Sequence, residues 1–274
     1  SSRFPDPVLQ QVEHFNNPGI TANDAFKPVT RYFDRITRPE QIISSLQQAL
    51  QVMLDPADCG PACISLSQDV QGETYDYPEE FFKERIHTIR RAKPDDFQIK
   101  EAVELIKKSK KPIIISGGGV FYSDATNELS AFAIKHNIPV TQTVMGYSTM
   151  KKDHSHYLGV IGGLGGRAAN NLSKETDTAI AIGTKLADFT TGSWANFENP
   201  NFKLVSINAA RFDANKHMAQ AIVGDAKVSL IELSQALGNW KADDSWYKKS
   251  RVELKEWESY VDKESGPTNQ KLPS

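Results

Sequence analysis

The sequence has no long apolar run, no dominant charge and almost no cysteine. Each absence removes a class of function. A helix that crosses a bilayer needs ~20 consecutive apolar residues, and no stretch approaches that length. The opening residues, SSRFPDPVLQQ, do not read as a signal peptide. Lys and Arg number 32 against 34 Asp and Glu, and the −2 balance is scattered along the chain. That argues against a nucleic-acid groove and against a basic membrane surface as partners. The two cysteines, Cys59 and Cys63, lie four apart with no second Cys or His pair nearby, whereas a structural zinc site takes four ligands. They are expected to be reduced, buried thiols of a cytoplasmic protein. There is no G-x-S-x-G nucleophile elbow. The carboxylates are spread over helix faces, with no isolated pair in an apolar setting. His154 and His156 in KDHSHY lack a third and fourth ligand and read as a solvated loop. The residues themselves therefore nominate no catalytic side chain and no metal ligand.

What is present is a core and a period. The 39% apolar content suits a globular protein, and 274 residues suffice for one large domain or two ordinary ones. Residues 1–73 are expected to hold one helix and one strong strand. Thr37-Arg38-Pro39-Glu40 has the form of a capping box. Ile42, Ile43, Leu46, Ala49, Leu50 and Met53 follow at helical spacing. DPADCG breaks that helix, and PACISL follows as a buried strand. Residues 74–93, with mixed charge, aromatics and prolines, read as a linker packed on a surface. From residue 94 to 238 short apolar strands (PIIIS, IPVTQT, YLGVI, TAIAI, KLVSIN, QAIV) alternate with amphipathic helices. That alternation means an α/β fold, a doubly wound parallel sheet with helices on both faces. Residues 239–274 are expected to form an aromatic helix and a linker. Trp246, Leu254, Trp257 and Tyr260 could dock it on a neighbouring domain or on its own sheet.

Three glycine turns fall where strands end, and open parallel sheets bind ligands at the carboxyl ends of their strands. Gly117, Gly118 and Gly119 follow PIIIS, where backbone N–H groups can meet a phosphate, but Tyr122 stands where a third fingerprint glycine would. Gly163-Leu164-Gly165-Gly166-Arg167-Ala168 satisfies G-x-G-x-x-A, yet it follows a weak strand and lacks the downstream acidic residue. GTKLADFTTG, residues 183–192, follows TAIAI. Gly183 could let the backbone approach a phosphate, Lys185 could pair with it, and Asp188 could accept from a hydroxyl. The spacing is equally that of a polar loop at a sheet edge, and it does not choose between the two. Gly117, Gly118, Gly119, Gly183, Lys185 and Asp188 are the candidate nucleotide-pocket residues.

In combination the segments resemble a known family. KPVTRYFDRITRPEQIISSLQQAL followed by GPACISLSQDVQGE resembles the end of the pyrimidine-binding domain of thiamine diphosphate (ThDP)-dependent enzymes. KKPIIISGGGV, IPVTQTVMG, HYLGVIGGLGGRAANN, TDTAIAIGTKLADFTTG and AIVGDAKVSL are similar to their Rossmann-like central domain, as in acetohydroxyacid synthases. The likeness runs over residues 23–237. The wording DPVLQQVEHF, TANDAF, RITRPEQ, DPAD, QDVQGE and DFTTGS is similar to a branch that hydrolyses a C–C bond of a cyclic polyhydroxy dione in inositol breakdown, giving 5-deoxy-glucuronate.

The resemblance implies a parent enzyme that uses ThDP and Mg²⁺ and assembles as a homodimer or homotetramer. The cofactor carbanion attacks a carbonyl, and its ring then serves as an electron sink. It implies that residues 1–73 are the second half of a pyrimidine-binding domain, that 94–238 are a complete central domain, and that 239–274 lead towards a diphosphate-binding domain. The family's catalytic glutamate and Mg²⁺ loop would then lie outside this chain, which is expected to be an inactive middle fragment unable to bind ThDP alone. In acetohydroxyacid synthases the segment matching residues 183–192 reads G-x-R-F-D-D-R-x-T-G and helps hold FAD. Gly183, Asp188, Thr191 and Gly192 match. Lys185, Leu186 and Phe189 replace Arg, Phe and Arg, and the loss of two bidentate guanidinium forks argues against FAD. Two other readings stay open: an FAD-containing acetolactate-synthase-like carboligase, and a non-catalytic nucleotide-binding or scaffold domain.

Overall fold

The computed structural model describes residues 16, 17 and 19–266. The DPVLQQVEHF wording and the linker-like end after Gly266 lie outside the described residues. The chain divides into two compact units, Ser1–Arg90 and Arg91–Ser274.

The first unit has little sheet. A 3-10 helix, Ala22–Val29, is closed by a reciprocal cap. The Thr21 hydroxyl accepts from Asn23 N–H, and the Asp24 carboxylate accepts from Thr21 N–H. Strand β1 (Tyr32–Ile36), helix α1 (Gln41–Leu54) and strand β2 (Ala62–Leu66) follow. The strands pair in parallel from Tyr32↔Ala62 to Ile36↔Leu66. Ser45 of α1 donates to Asp34 of β1, which seats the helix on one face.

Several sequence expectations fail here. The capping box at Thr37 does not form. Gln41 Oε1 instead collects Thr37 N–H, the Thr37 hydroxyl and Arg38 N–H, and Glu40 makes no side-chain cap bond. The side chain one residue later outcompetes Glu40, and α1 starts at Gln41. PACISL is a strand but not a buried one: two strands and one helix cannot cover it, and Leu66 is exposed. β1 was not anticipated, because YFDRI carries two charges in five residues. The cysteines are free as expected but not buried. Cys59 is exposed in the loop after α1, and Cys63 is half-buried on thinly covered β2.

The second unit carries the core. Helix α2 (Asp96–Lys108) leads to β3 (Pro112–Ser116), α3 (Gly118–Tyr122), α4 (Thr126–His136), β4 (Val140–Gln142) and β5 (Tyr157–Val160). Then come α5 (Arg167–Glu175), β6 (Thr178–Ile182), α6 (Asp188–Thr191), β7 (Lys203–Asn208), α7 (Arg211–Asn215), β8 (Gln220–Val223), α8 (Ala226–Leu237) and α9 (Asp244–Glu264). The strands form one parallel sheet in the order β5-β4-β3-β6-β7-β8. Two helical layers, α2 with α8 and α4, and α5 with α9, flank it. The central strands PIIIS and TAIAI are buried at every residue, as strands covered on both faces must be. Aspartates start three helices: Asp95, Asp225 and Asp243 each accept a first-turn backbone N–H.

Of the two readings of the aromatic stretch after Gly238, packing on its own sheet is what the structure has. Trp246 is buried and donates its indole N–H to Pro112 O at 2.8 Å, while Leu254 enters the core and Trp257 packs against it. The loop carrying His154 and His156 is solvated at Lys151, Lys152, Asp153 and Ser155, as expected, but His156 is not. His156 is 6% exposed beneath Tyr247 of α9, with ring centres 4.6 Å apart. The burying partner comes from far along the chain, which a local reading cannot see.

Candidate functional site

β3 is flanked by β4 on one side and β6 on the other, so the direction of winding reverses between β3 and β6. Ligands of open α/β sheets enter at such a switch point, outside the carboxyl ends of the strands. The turns that leave β3 and β6 here are the two that carry the candidate glycines.

The structure brings those glycines together, against each other. Gly117 N–H donates to Ile182 O and Gly119 N–H to Gly183 O, both at 2.9 Å. A Cβ on Gly117 would stand 2.4 Å from Gly183 O, and one on Gly119 would stand 2.6 Å from Gly183 Cα. Gly183 has φ +59°, where glycine is favoured. The three residues let two backbones meet with no side chain between them. Two of the amides that a phosphate would call on are thereby engaged by protein carbonyls.

Gly118 is half-buried, its missing Cβ directed at Met145 O. It borders a cavity of about 170 Å³ lined with Phe121, Tyr122, Met145, Tyr147 and Ser148. Lys185 is exposed and makes no ion pair among the described residues. Asp188 opens α6 and accepts the Ser193 hydroxyl at 2.7 Å, which turns it into its own loop. Leu186, buried with φ +46°, anchors the segment between them. Thr184 supports it: its hydroxyl accepts Leu186 N–H at 3.2 Å, and its carbonyl accepts from Asn208. Below, His217 packs edge-on against Trp194, 4.7 Å between ring centres. Burial pushes the pKa of this imidazole down, Lys216 adds to that, and Asp213 and the bond to Leu186 oppose it.

The G-x-G-x-x-A run has a packing role too. Gly163 N–H donates to Phe189 O at 2.7 Å, and a Cβ on Gly162 would lie 2.0 Å from that oxygen. The Asn170 side chain closes the loop through both backbone groups of Gly162. The loops after β3, β5 and β6 thus hold one another by backbone contacts.

Sequence reasoning missed the character of this rim. Tyr122, Met145 and Phe189 are 81%, 78% and 72% exposed, and Phe121, Tyr147 and Leu164 also point outward. The available signal was a large apolar residue directly after a glycine turn (GVFY, VMGY, GLGG), where polar residues are usual.

The described residues do not fit a ThDP–metal site. Among them no group of three or more His, Cys, Asp or Glu is placed to hold an ion, and the amides of Gly117 and Gly119 already have acceptors. No helix among the described residues is long and apolar enough to cross a membrane.

Comparison with known proteins gives this arrangement a context. Residues 99–233 match the family described as thiamine pyrophosphate enzyme, central domain. Three similar relatives are called 3D-(3,5/4)-trihydroxycyclohexane-1,2-dione hydrolase. That of Clostridium perfringens is 49% identical over 237 residues, 86% of this chain and 37% of the relative. That of Bacillus subtilis is 47% identical over 243 residues, 89% of this chain and 38% of the relative. That of Clostridium tetani is 44% identical over 263 residues, 96% of this chain and 41% of the relative. The chain thus spans about two fifths of the length of these curated relatives.

Proposed function

We propose, from the match of residues 99–233 to the central-domain family of thiamine pyrophosphate enzymes, that the chain is the middle part of a ThDP-dependent hydrolase. Its substrate class is a cyclic polyhydroxy 1,2-dione, opened at a ring C–C bond to 5-deoxy-glucuronate in inositol breakdown. One observation carries the reading. The likeness to proteins named for that reaction is not confined to the sheet of the second unit; it extends over 86–96% of the chain. Residues 1–73 are then the second half of a pyrimidine-binding domain, and 74–93 a linker. Residues 94–238 are the central domain, and 239–274 the helical lead to a diphosphate-binding domain. The parent enzyme uses Mg²⁺, is a cytoplasmic homo-oligomer, and takes ThDP from residues this chain does not contain. The central domain contributes shape. Its interlocked turns make a rigid rim, and the outward apolar side chains are available to pack against other parts of the assembly. The acetolactate-type carboligase and the free-standing scaffold are not favoured by the relatives' names.

The test is an assay of dione hydrolysis with the full-length polypeptide of the same reading frame and with this chain. The full-length protein is expected to turn over only with ThDP and Mg²⁺. This chain is expected to show neither turnover nor saturable ThDP–Mg²⁺ binding. Hydrolysis that ignores ThDP, or saturable ThDP binding by this chain, overturns the proposal.

A further inference from the structure

The loop before β5 contains a pair of histidines that the proposed function does not use. Hydrogen bonds fix His154 with a bare Nδ1 and His156 with a proton on Nε2. His156 N–H donates to His154 Nδ1 at 3.1 Å, so that nitrogen carries no proton and His154 Nε2 donates to the Ser130 hydroxyl of α4 at 2.8 Å. Asn137 Oδ1 accepts from His156 Nε2 at 3.3 Å, and His156 Nδ1 accepts the Ser155 hydroxyl at 2.9 Å. A proton added to His154 must go on Nδ1, where it meets the amide hydrogen of His156. A proton added to His156 charges a ring that is 6% exposed.

This cluster is also what α9 rests on. Tyr247 stacks over His156 and donates its hydroxyl to Ser155 O at 3.1 Å. Arg251 reaches Tyr157 O. Asn137, the partner of His156, also donates to Ala242 O and to the Asp244 carboxylate at the start of α9. The rings of His154 and His156 are 5.8 Å apart, too close for both to charge without cost.

We propose that His154 and His156 form an acid-sensitive latch that holds α9 against the approach to β5. The groups facing the pair set its direction. From α9, Arg251 opposes a positive charge, Asp244 acts only through Asn137, and Tyr247 is neutral. From the loop itself Asp153 favours protonation of His154, and α4 contributes only the uncharged Ser130 and Asn137. Burial pushes the His156 pKa down to about 4, with His154 and Arg251 adding to the shift. Burial likewise lowers that of His154, against Asp153. The unfolded or undocked loop takes up protons near the ordinary value of 6.5, well before the docked loop does. Docking is therefore undiminished above pH 6.5 and weakens as pH falls from there towards 4.

The experiment is hydrogen exchange of the intact chain at pH 7 and pH 4.5, corrected for the intrinsic rate. Linkage through His156 alone predicts that protection of α9 falls by tens-fold between the two pH values, about 60-fold at full coupling. The amides of β6 should change far less. In His156→Gln, which keeps an N–H donor for Asn137, the acid-induced loss should shrink to the smaller part that His154 contributes. An undiminished loss in both His156→Gln and His154→Gln refutes the latch. So does α9 opening only together with β6. If the variants fail to fold, a proton NMR titration of the native chain decides: a His156 ring titrating at or above 6.5 refutes it, and one titrating well below supports it.

Discussion

Replacing Gly183 with Ala tests the claim that the switch-point glycines exist for backbone contact. Gly183 has φ +59°, and a Cβ there would lie 2.6 Å from Gly119 Cα, 2.8 Å from Gly119 C and 2.8 Å from Val120 N. All three are backbone atoms, so no side chain can swing aside. The left-handed conformation costs an alanine about 1 kcal/mol, and forcing apart two packed turns costs about 1–3 kcal/mol more. The Gly119 N–H to Gly183 O bond (2.9 Å) is lost as they separate, which adds about 1 kcal/mol. The expected destabilisation is about 3–5 kcal/mol. Gly163→Ala is the control. It alters the G-x-G-x-x-A run, but its Cβ would meet nothing nearer than a Phe189 ring carbon at 3.5 Å, and the expected cost is below about 1 kcal/mol. The assay is urea unfolding followed by tryptophan fluorescence. The chain's four tryptophans (Trp194, Trp240, Trp246 and Trp257) all belong to the second unit, so the signal reports that unit alone. Equal midpoints for Gly183→Ala and wild type, or a larger loss in Gly163→Ala, would refute the reasoning.

Two further outcomes are expected. Asp225 is 4% exposed and accepts from Arg91, Ser123 and the second and third amides of α8, those of Lys227 and Val228. Asp225→Ala should therefore destabilise the second unit by about 2–4 kcal/mol in the same urea assay, and a change below about 0.5 kcal/mol would contradict the assigned role. Limited trypsin digestion should cut first after Lys83, Arg85 or Arg90. Residues 82–90 are all exposed, whereas Arg91 is tied to Asp225 at 3.0 Å. Mass spectrometry should find a resistant product that starts between residues 84 and 91, and a first cut inside residues 112–237 would count against it.

What could be read from the sequence divides by how local its cause is. PIIIS, TAIAI and KLVSIN were legible because a strand buried on both faces must be apolar throughout, whatever its neighbours are. The aspartates at 95, 225 and 243 mark helix starts by bonds to amides two or three residues on, a local signal that the sequence reading left unused. β1 escaped because the first unit covers it thinly: YFDRI can carry charges and leaves no apolar signature. The burial of His156 was missed for the opposite reason, since Tyr247, which covers it, arrives almost a hundred residues later. The glycine turns were legible as the ends of apolar strands, and two of them lie where the winding reverses. What the sequence could not express is that Gly119 and Gly183 face each other.

That pairing bears directly on whether the loop at Gly183 holds a nucleotide. A phosphate at a glycine turn is held by N–H groups that point at it, and here the amides of Gly117 and Gly119 point at Ile182 O and Gly183 O. To bind, a diphosphate must break those bonds, each contributing about 1 kcal/mol, and reopen two turns that close over buried β3 and β6. In return it gains one exposed lysine, Lys185, a flexible point charge, because Phe189 stands where the similar acetohydroxyacid synthase segment has a second arginine. Asp188, engaged by Ser193 at 2.7 Å, would repel the phosphates. The balance is unfavourable, so calorimetric titration of the chain with FAD or ADP is expected to give no heat at micromolar concentrations. Micromolar binding would require the Gly119–Gly183 contact to open, and faster exchange of Gly119 N–H in the complex would reveal it. With no binding and a protected Gly119 amide, the loop is a bend of the scaffold, kept because the turns after β3 and β6 meet backbone to backbone, 2.9 Å from Gly119 N to Gly183 O.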